Sequence, residues 1–170
     1  EVESLASSVA DNGGVYFVPA FSGLYAPYWD LTAHGTVVGL THFSRRAHLV
    51  RATLEAICYQ TKDVVGTMIE ESGHEVGEMR ADGGGTRNAF LMQLQSDILG
   101  RTVKVSTNLE STCLGAVYLA GVAVRFWPDL PSLRGQWKAA AVYQPEWTEE
   151  RREASYRGWK TAVAKTRYNG

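Results

Sequence analysis

The stretch Ala81–Phe90, "ADGGGTRNAF", sets three consecutive glycines between an acidic residue and an apolar run. Just before it, "EMRA" (Glu78–Ala81) reads as a short strand. After it, Phe90, Leu91, Leu94 and Ile98 recur at helical spacing until Gly100 supplies a stop. A strand that turns through glycines into a helix is a building unit of an α/β fold. It is also a physical recipe for receiving phosphate or nucleotide, because bare backbone admits close approach and N–H groups at a helix start attract negative charge. Two motifs of this kind do not fit. A Walker A loop needs GxxxxGK[ST] and no Lys follows these glycines; the dinucleotide fingerprint needs GxGxxG, whereas Gly83-Gly84-Gly85 leads into Thr86-Arg87-Asn88. On spacing alone, a conformational turn is the simpler reading. Two details favour a site: Asn88 falls in the first helical turn, where its amide would reach over the glycines, and Asp82 stands at a strand end, where α/β sheets place ligands.

Working outward, "TVKVST" (Thr102–Thr107) alternates as a strand, and "STCLGAVYLAGVAV" follows as a helix. Gly115, Ala116, Ala120 and Gly121 keep its surface low enough for another element to approach. From Glu75 onward the order is thus strand, helix, strand, helix, which predicts parallel strands joined by crossovers. Two such strands do not make a stable sheet, so further strands are expected upstream, and an exposed apolar sheet edge without them. Phe126–Glu146, with Pro128, Pro131 and Pro145, reads as loop with one short helix. A last helix follows, with Thr148 as N-cap and Tyr156, Trp159 and Val163 as its buried stripe.

Upstream of the glycines, apolar residues from Ala47 to Ser72 mark the longest helix, stopped by Gly73. "GGVYFVPAF" (Gly13–Phe21) and "GTVVGLT" (Gly35–Thr41) read as strands. The loop between them carries Tyr28-Trp29, a pair too large to be left wholly in water and expected to fold back onto the body.

Seventeen basic against eighteen acidic residues give no electrostatic excess for a nucleic-acid backbone or an anionic membrane. No window approaches the ~18 apolar residues of a membrane span. Cys58 and Cys113 lack CxxC spacing and fall in helical segments, which predicts two buried thiols in a reducing, cytoplasmic setting. The four histidines lack the short spacings of a metal cluster. The opening, "EVESLASSVADNGG", has no initiator Met and no signal-peptide pattern and looks like a piece of something longer.

Five ordered blocks carry a resemblance: "GGVYFVPAFSGLYAPYWD" (Gly13–Asp30), "GTVVGLTHFSRRAHLVRATLE" (Gly35–Glu55), "ADGGGTRNAFLMQLQSDILG" (Ala81–Gly100), "LGAVYLAG" and "YRGWKTAV". Together they resemble the C-terminal part of glycerol kinases in the FGGY carbohydrate-kinase family. The resemblance implies an α/β fold that is part of an actin- and hexokinase-like (ribonuclease H-like) ATPase lobe, with an added N-terminal β segment. It makes residues 1–170 a partial C-terminal FGGY kinase domain, lacking upstream strands and the whole N-terminal lobe. The implied activity is transfer of a phosphoryl group from ATP, with Mg²⁺, to glycerol, and the implied partners are that missing lobe and further copies in a homo-oligomer.

The family's adenosine-side contacts map onto Gly84 and Asn88, and Gly83 shares the loop. Gly85 and Arg87 depart from the commonest loop, where Ala or Met and a small residue are usual; Arg87 reads first as an exposed arginine. The catalytic Asp, the first phosphate loop and the acceptor-binding residues of the family lie upstream, so no residue here is assigned a catalytic or metal role. Among local carboxylates, Asp82 reads as a loop or cap acceptor, Asp30 as a turn residue and Glu55 as the i,i+4 partner of Arg51. Two alternatives remain open: a family member acting on another polyol or sugar, and an actin-like module that binds nucleotide or a partner without catalysis.

Overall fold

The computed structural model describes residues 1–167, so the last three residues of the expected 1–170 domain lie outside it. A short helix α1 (Val2–Ser7) is followed by an antiparallel hairpin, β1 (Tyr16–Val18) with β2 (Thr36–Val38). Helix α2 (Arg46–Ser72) is next, about 40 Å long at 1.5 Å per residue. Then come β3 (Glu78–Ala81), α3 (Ala89–Leu99), β4 (Thr102–Ser106), α4 (Ser111–Ala123), β5 (Ala139–Tyr143) and α5 (Glu149–Arg167).

The expected helix ends are present because the local chemistry is present. Gly73 and Gly100 close α2 and α3 in the left-handed conformation, both at φ 67°. Thr148 Oγ1 accepts from the Arg151 N–H at 3.3 Å and so caps α5, whose first turn carries Glu149 and Glu150. On α5, Trp159 and Val163 are fully enclosed and Tyr156 is half-buried. Trp159 stacks on Tyr59 of α2, centroids 5.4 Å apart.

The second sheet runs β3-β4-β5, with β3 and β4 parallel as expected. Its third strand corrects the sequence reading, which placed only a loop and a short helix between Phe126 and Glu146. A 3₁₀ turn (Pro131–Gln136) does form there, but Ala139–Tyr143 then pairs antiparallel with β4, with a bulge at Val105/Ser106. Three alanines disguise this strand, since Ala is poor in β propensity and the pairing is set by β4 rather than by the segment itself. β4 is therefore central and β3 keeps a free edge.

Three further expectations change. Cys58 is buried but Cys113 is exposed at the start of α4, so only one thiol is a core group. The Tyr28-Trp29 pair divides: Tyr28 packs against the core with its hydroxyl on Asp63 at 3.0 Å, whereas Trp29 is 72% exposed with φ 48°. The apolar surface left bare belongs to helices more than to a sheet edge. Leu49, Ile57, Val64 and Met68 form the outward stripe of α2, and the Thr53 and Thr61 hydroxyls there turn back to the carbonyls four residues earlier, each at 2.9 Å. α4, mostly apolar and rich in small residues, has no buried residue; the Trp127 ring lies against its Gly121 and edge-on to its Tyr118. Among the described residues, no helix is long and apolar enough to cross a membrane.

Candidate functional site

β3 ends at Ala81, and the chain leaves it through exposed Asp82 into the glycines. Gly83 sits at φ 86°, ψ 173°, a conformation that side-chain-bearing residues avoid, so this glycine is required by the corner itself. Gly84–Arg87 form one turn of 3₁₀ helix. The buried Thr86 locks the turn: its N–H and its hydroxyl both donate to the Gly83 carbonyl, at 3.2 and 2.7 Å.

Gly84 and Gly85 differ from Gly83. Neither has a left-handed φ, and a Cβ added at either would meet no protein atom within 4 Å. Two helical glycines cost about 1 kcal/mol each relative to alanine. Neither backbone strain nor protein packing accounts for them. What they leave is bare main chain at an open surface, which is the condition for a ligand to lie directly on the backbone.

Asn88 is placed one step from where its sequence put it. It is not in the first turn of α3 but is the residue before it, extended at φ −85°, ψ 99°. Its Oδ1 accepts from the Leu91 N–H at 2.9 Å, so the carbonyl end is committed to capping α3. Only the amide NH₂ end remains to meet a ligand, as a donor. Gly83, Gly84 and Asn88 thus come together on one short loop; Arg87, between them, is exposed.

The remaining carboxylate candidates are held in other ways. Asp30 Oδ1 accepts from the Thr32 N–H and hydroxyl at 3.0 and 2.8 Å, and these bonds hold its pKa below the usual range. Glu55 is buried on α2, accepts from Arg51 Nε and Asn12 Nδ2, both at 2.9 Å, and has its pKa raised by burial. Among the described residues no group of three or more His, Cys, Asp or Glu is disposed to hold a metal ion.

Two supports of the loop escaped the sequence reading. Glu3 of α1 accepts from the Phe90 N–H at 3.1 Å, and the guanidinium of Arg51 lies 5.3 Å from the centre of the Phe90 ring. A charged Arg51-Glu55 pair at i,i+4 among the buried residues of α2 was the available signal for the second; nothing local marked the first. A third unforeseen residue is Asp63, buried on α2. Its carboxylate accepts from the Tyr28 hydroxyl, the Tyr156 hydroxyl at 2.6 Å and Trp159 Nε1 at 2.8 Å, tying the hairpin loop and α5 to α2.

Residues 1–124 match the model of the C-terminal domain of the FGGY family of carbohydrate kinases. The chain belongs to this family. Within the FGGY family, glycerol kinase 1 of Streptomyces coelicolor is 52% identical over 166 residues, covering 98% of this chain and 33% of that protein. Glycerol kinase of Petrotoga mobilis is 53% identical over 167 residues, covering 98% of this chain and 34% of that protein. The solved structure of Plasmodium falciparum glycerol kinase with ADP superposes with a TM-score of 0.87 at 36% identity, over 97% of this chain and 33% of that one. A ligand-bound xylulose kinase from Lactobacillus acidophilus gives 0.80 at 25% identity, over 96% and 33%. The FGGY chain therefore spans about a third of the length of the relatives it matches. The expected α/β architecture of an actin- and hexokinase-like kinase lobe holds, with its sheet mixed rather than wholly parallel.

Proposed function

We propose that this chain is the nucleotide-side portion of an ATP-dependent glycerol kinase, and that all of residues 1–170 act as one unit with polypeptide preceding Glu1. The observation that carries the reading is the loop at Gly84, where glycine serves neither the backbone nor the protein's packing. Identity of about half to glycerol kinases across nearly the whole chain supports glycerol as the acceptor. The chain's own part is to hold the adenosine end of the nucleotide. Gly84 lets it approach the main chain, Gly83 makes the corner, and Asn88 donates its amide from the cap of α3. Bound ATP supplies the γ-phosphoryl group that the terminal hydroxyl of glycerol accepts, giving glycerol 3-phosphate.

The group that positions the acceptor hydroxyl, the β- and γ-phosphate cradle and the ligands of Mg²⁺ are assigned to the preceding polypeptide. The outward stripe of α2, the free edge of β3 and the uncovered α4 are the surfaces offered to it. A cytoplasmic location and a homo-oligomeric assembly complete the proposal.

The test uses the full-length polypeptide and the 170-residue chain side by side, following ADP release with glycerol, xylulose and erythritol. Glycerol-dependent ADP release by the full-length protein alone is expected. Turnover of another polyol or sugar in preference to glycerol would overturn the acceptor, and turnover by the isolated chain would overturn the division of labour.

A further inference from the structure

Arg51 lies on the inward face of α2 and is buried. Nε donates to Glu55 Oε1 at 2.9 Å, Nη1 donates to the Val9 carbonyl at 2.6 Å, and the guanidinium faces the Phe90 ring. The other oxygen of Glu55 accepts from Asn12. A buried ion pair returns its desolvation cost only when its remaining donors and acceptors are also met, and apolar residues of equal volume are often as stable. Here the remaining partners come from the α1–β1 connection and from α3. The pair therefore does what an apolar filling would not: it fixes the direction in which these segments meet.

One of those segments is the start of α3. Phe90 is the second residue of α3, two places beyond Asn88, and its N–H is held by Glu3. The Asn88 side chain caps Leu91 and the Asn88 carbonyl accepts from Met92, so Asn88, Phe90, Leu91 and Met92 share one turn and move together. A shift of about 1 Å in that turn displaces the Asn88 amide from any group it donates to, enough to weaken a positioned contact severely.

We propose that Arg51 is a positioning residue for the nucleotide loop: its buried guanidinium pins Phe90, and with it the α3 turn from which Asn88 meets the nucleotide. The proposal rests on the reading of residues 83–88 as a nucleotide loop. Arg51 acts on that loop through the Phe90 ring, and through Val9 it also steadies the segment that follows α1, whose Glu3 holds the Phe90 N–H.

The experiment compares four variants of the full-length polypeptide: Arg51→Met, Phe90→Leu, Asn88→Ala and Val18→Ala. Val18 is a fully enclosed residue of β1, a strand that packs chiefly on α2 and α5, and its truncation serves as a control for lost stability. ADP affinity is read by calorimetry, melting temperature by circular dichroism, and kcat and KM for ATP and for glycerol by turnover. Arg51→Met and Phe90→Leu are expected to weaken ADP by about 5-fold and to raise KM for ATP similarly, with KM for glycerol unchanged. Val18→Ala is expected to lower the melting temperature without that loss. Should Arg51→Met fail to fold, Phe90→Leu carries the test. Equal loss of ADP affinity in Val18→Ala would reduce Arg51 to a stability residue. Unchanged ADP affinity in Phe90→Leu beside a weakened Asn88→Ala would overturn the positioning role and leave the loop reading standing; an unaffected Asn88→Ala would overturn both.

Discussion

Asn88→Asp separates the two tasks given to one side chain. The Oδ1 that accepts from Leu91 survives the change, so the α3 cap survives with it. The new negative charge stands at the N-terminal end of the helix, where it is favourable by about 0.3–1 kcal/mol. Stability of the fold should thus be unchanged or slightly higher. The ligand side changes in the opposite sense. The only free donor of Asn88 is lost and a charge is placed beside an anionic nucleotide, which costs about 1–2 kcal/mol or about 5- to 30-fold in affinity. Asn88→Ala provides the contrast, losing the cap as well, at about 1 kcal/mol of fold stability. Urea unfolding and calorimetric titration with ADP on the full-length protein measure the two quantities separately. An Asn88→Asp protein that binds ADP as tightly as the parent would refute the reasoning, because Asn88 would then be a helix cap and nothing more.

The glycines make a parallel contrast: Gly83→Ala should lose about 1 kcal/mol of stability through its positive φ, whereas Gly84→Val should fold normally and lose ADP binding, as thermal melts and titration would show. Asp63→Ala leaves the Tyr28, Tyr156 and Trp159 donors unmet in the interior and should cost about 3–5 kcal/mol in urea; a loss below about 1 kcal/mol would mean that water replaces the carboxylate. Glu55 has its pKa raised by burial, so its contribution to stability is fullest below the unfolded-state pKa and falls as pH rises through the folded-state value. Glu55→Gln should remove that slope, and urea midpoints measured across a pH series would show whether it does.

What the sequence made legible was what one segment determines by itself. Gly73, Gly100 and Thr148 end or begin helices through their own backbone or side-chain chemistry, and each does so where expected. The glycine loop was legible as a corner for the same reason. What stayed hidden depends on distant partners. β5 is a strand because β4 offers an edge, not because Ala139–Ala141 prefer it. Asp63 gathers donors from Tyr28, Tyr156 and Trp159, residues that only the finished fold brings together. Asn88 moved by one position because Thr86 closes a tight 3₁₀ turn onto Gly83, a hydroxyl bond that helical periodicity does not reveal. Trp29 ended in solvent because the Leu24–Asp30 bridge, 2.7 and 2.8 Å in its two hydrogen bonds, turns the loop at that residue.

The setting of Trp159 has a use of its own. Of the five tryptophans it is the fully enclosed one, its indole N–H is held by the Asp63 carboxylate, and its ring faces Tyr59 across an interplanar angle of 17°. Its emission is accordingly an internal optical gauge of whether α5 has closed against α2. With Trp29, Trp127, Trp137 and Trp147 replaced by phenylalanine, the remaining signal would time the arrival of the C-terminal helix during refolding without any attached dye.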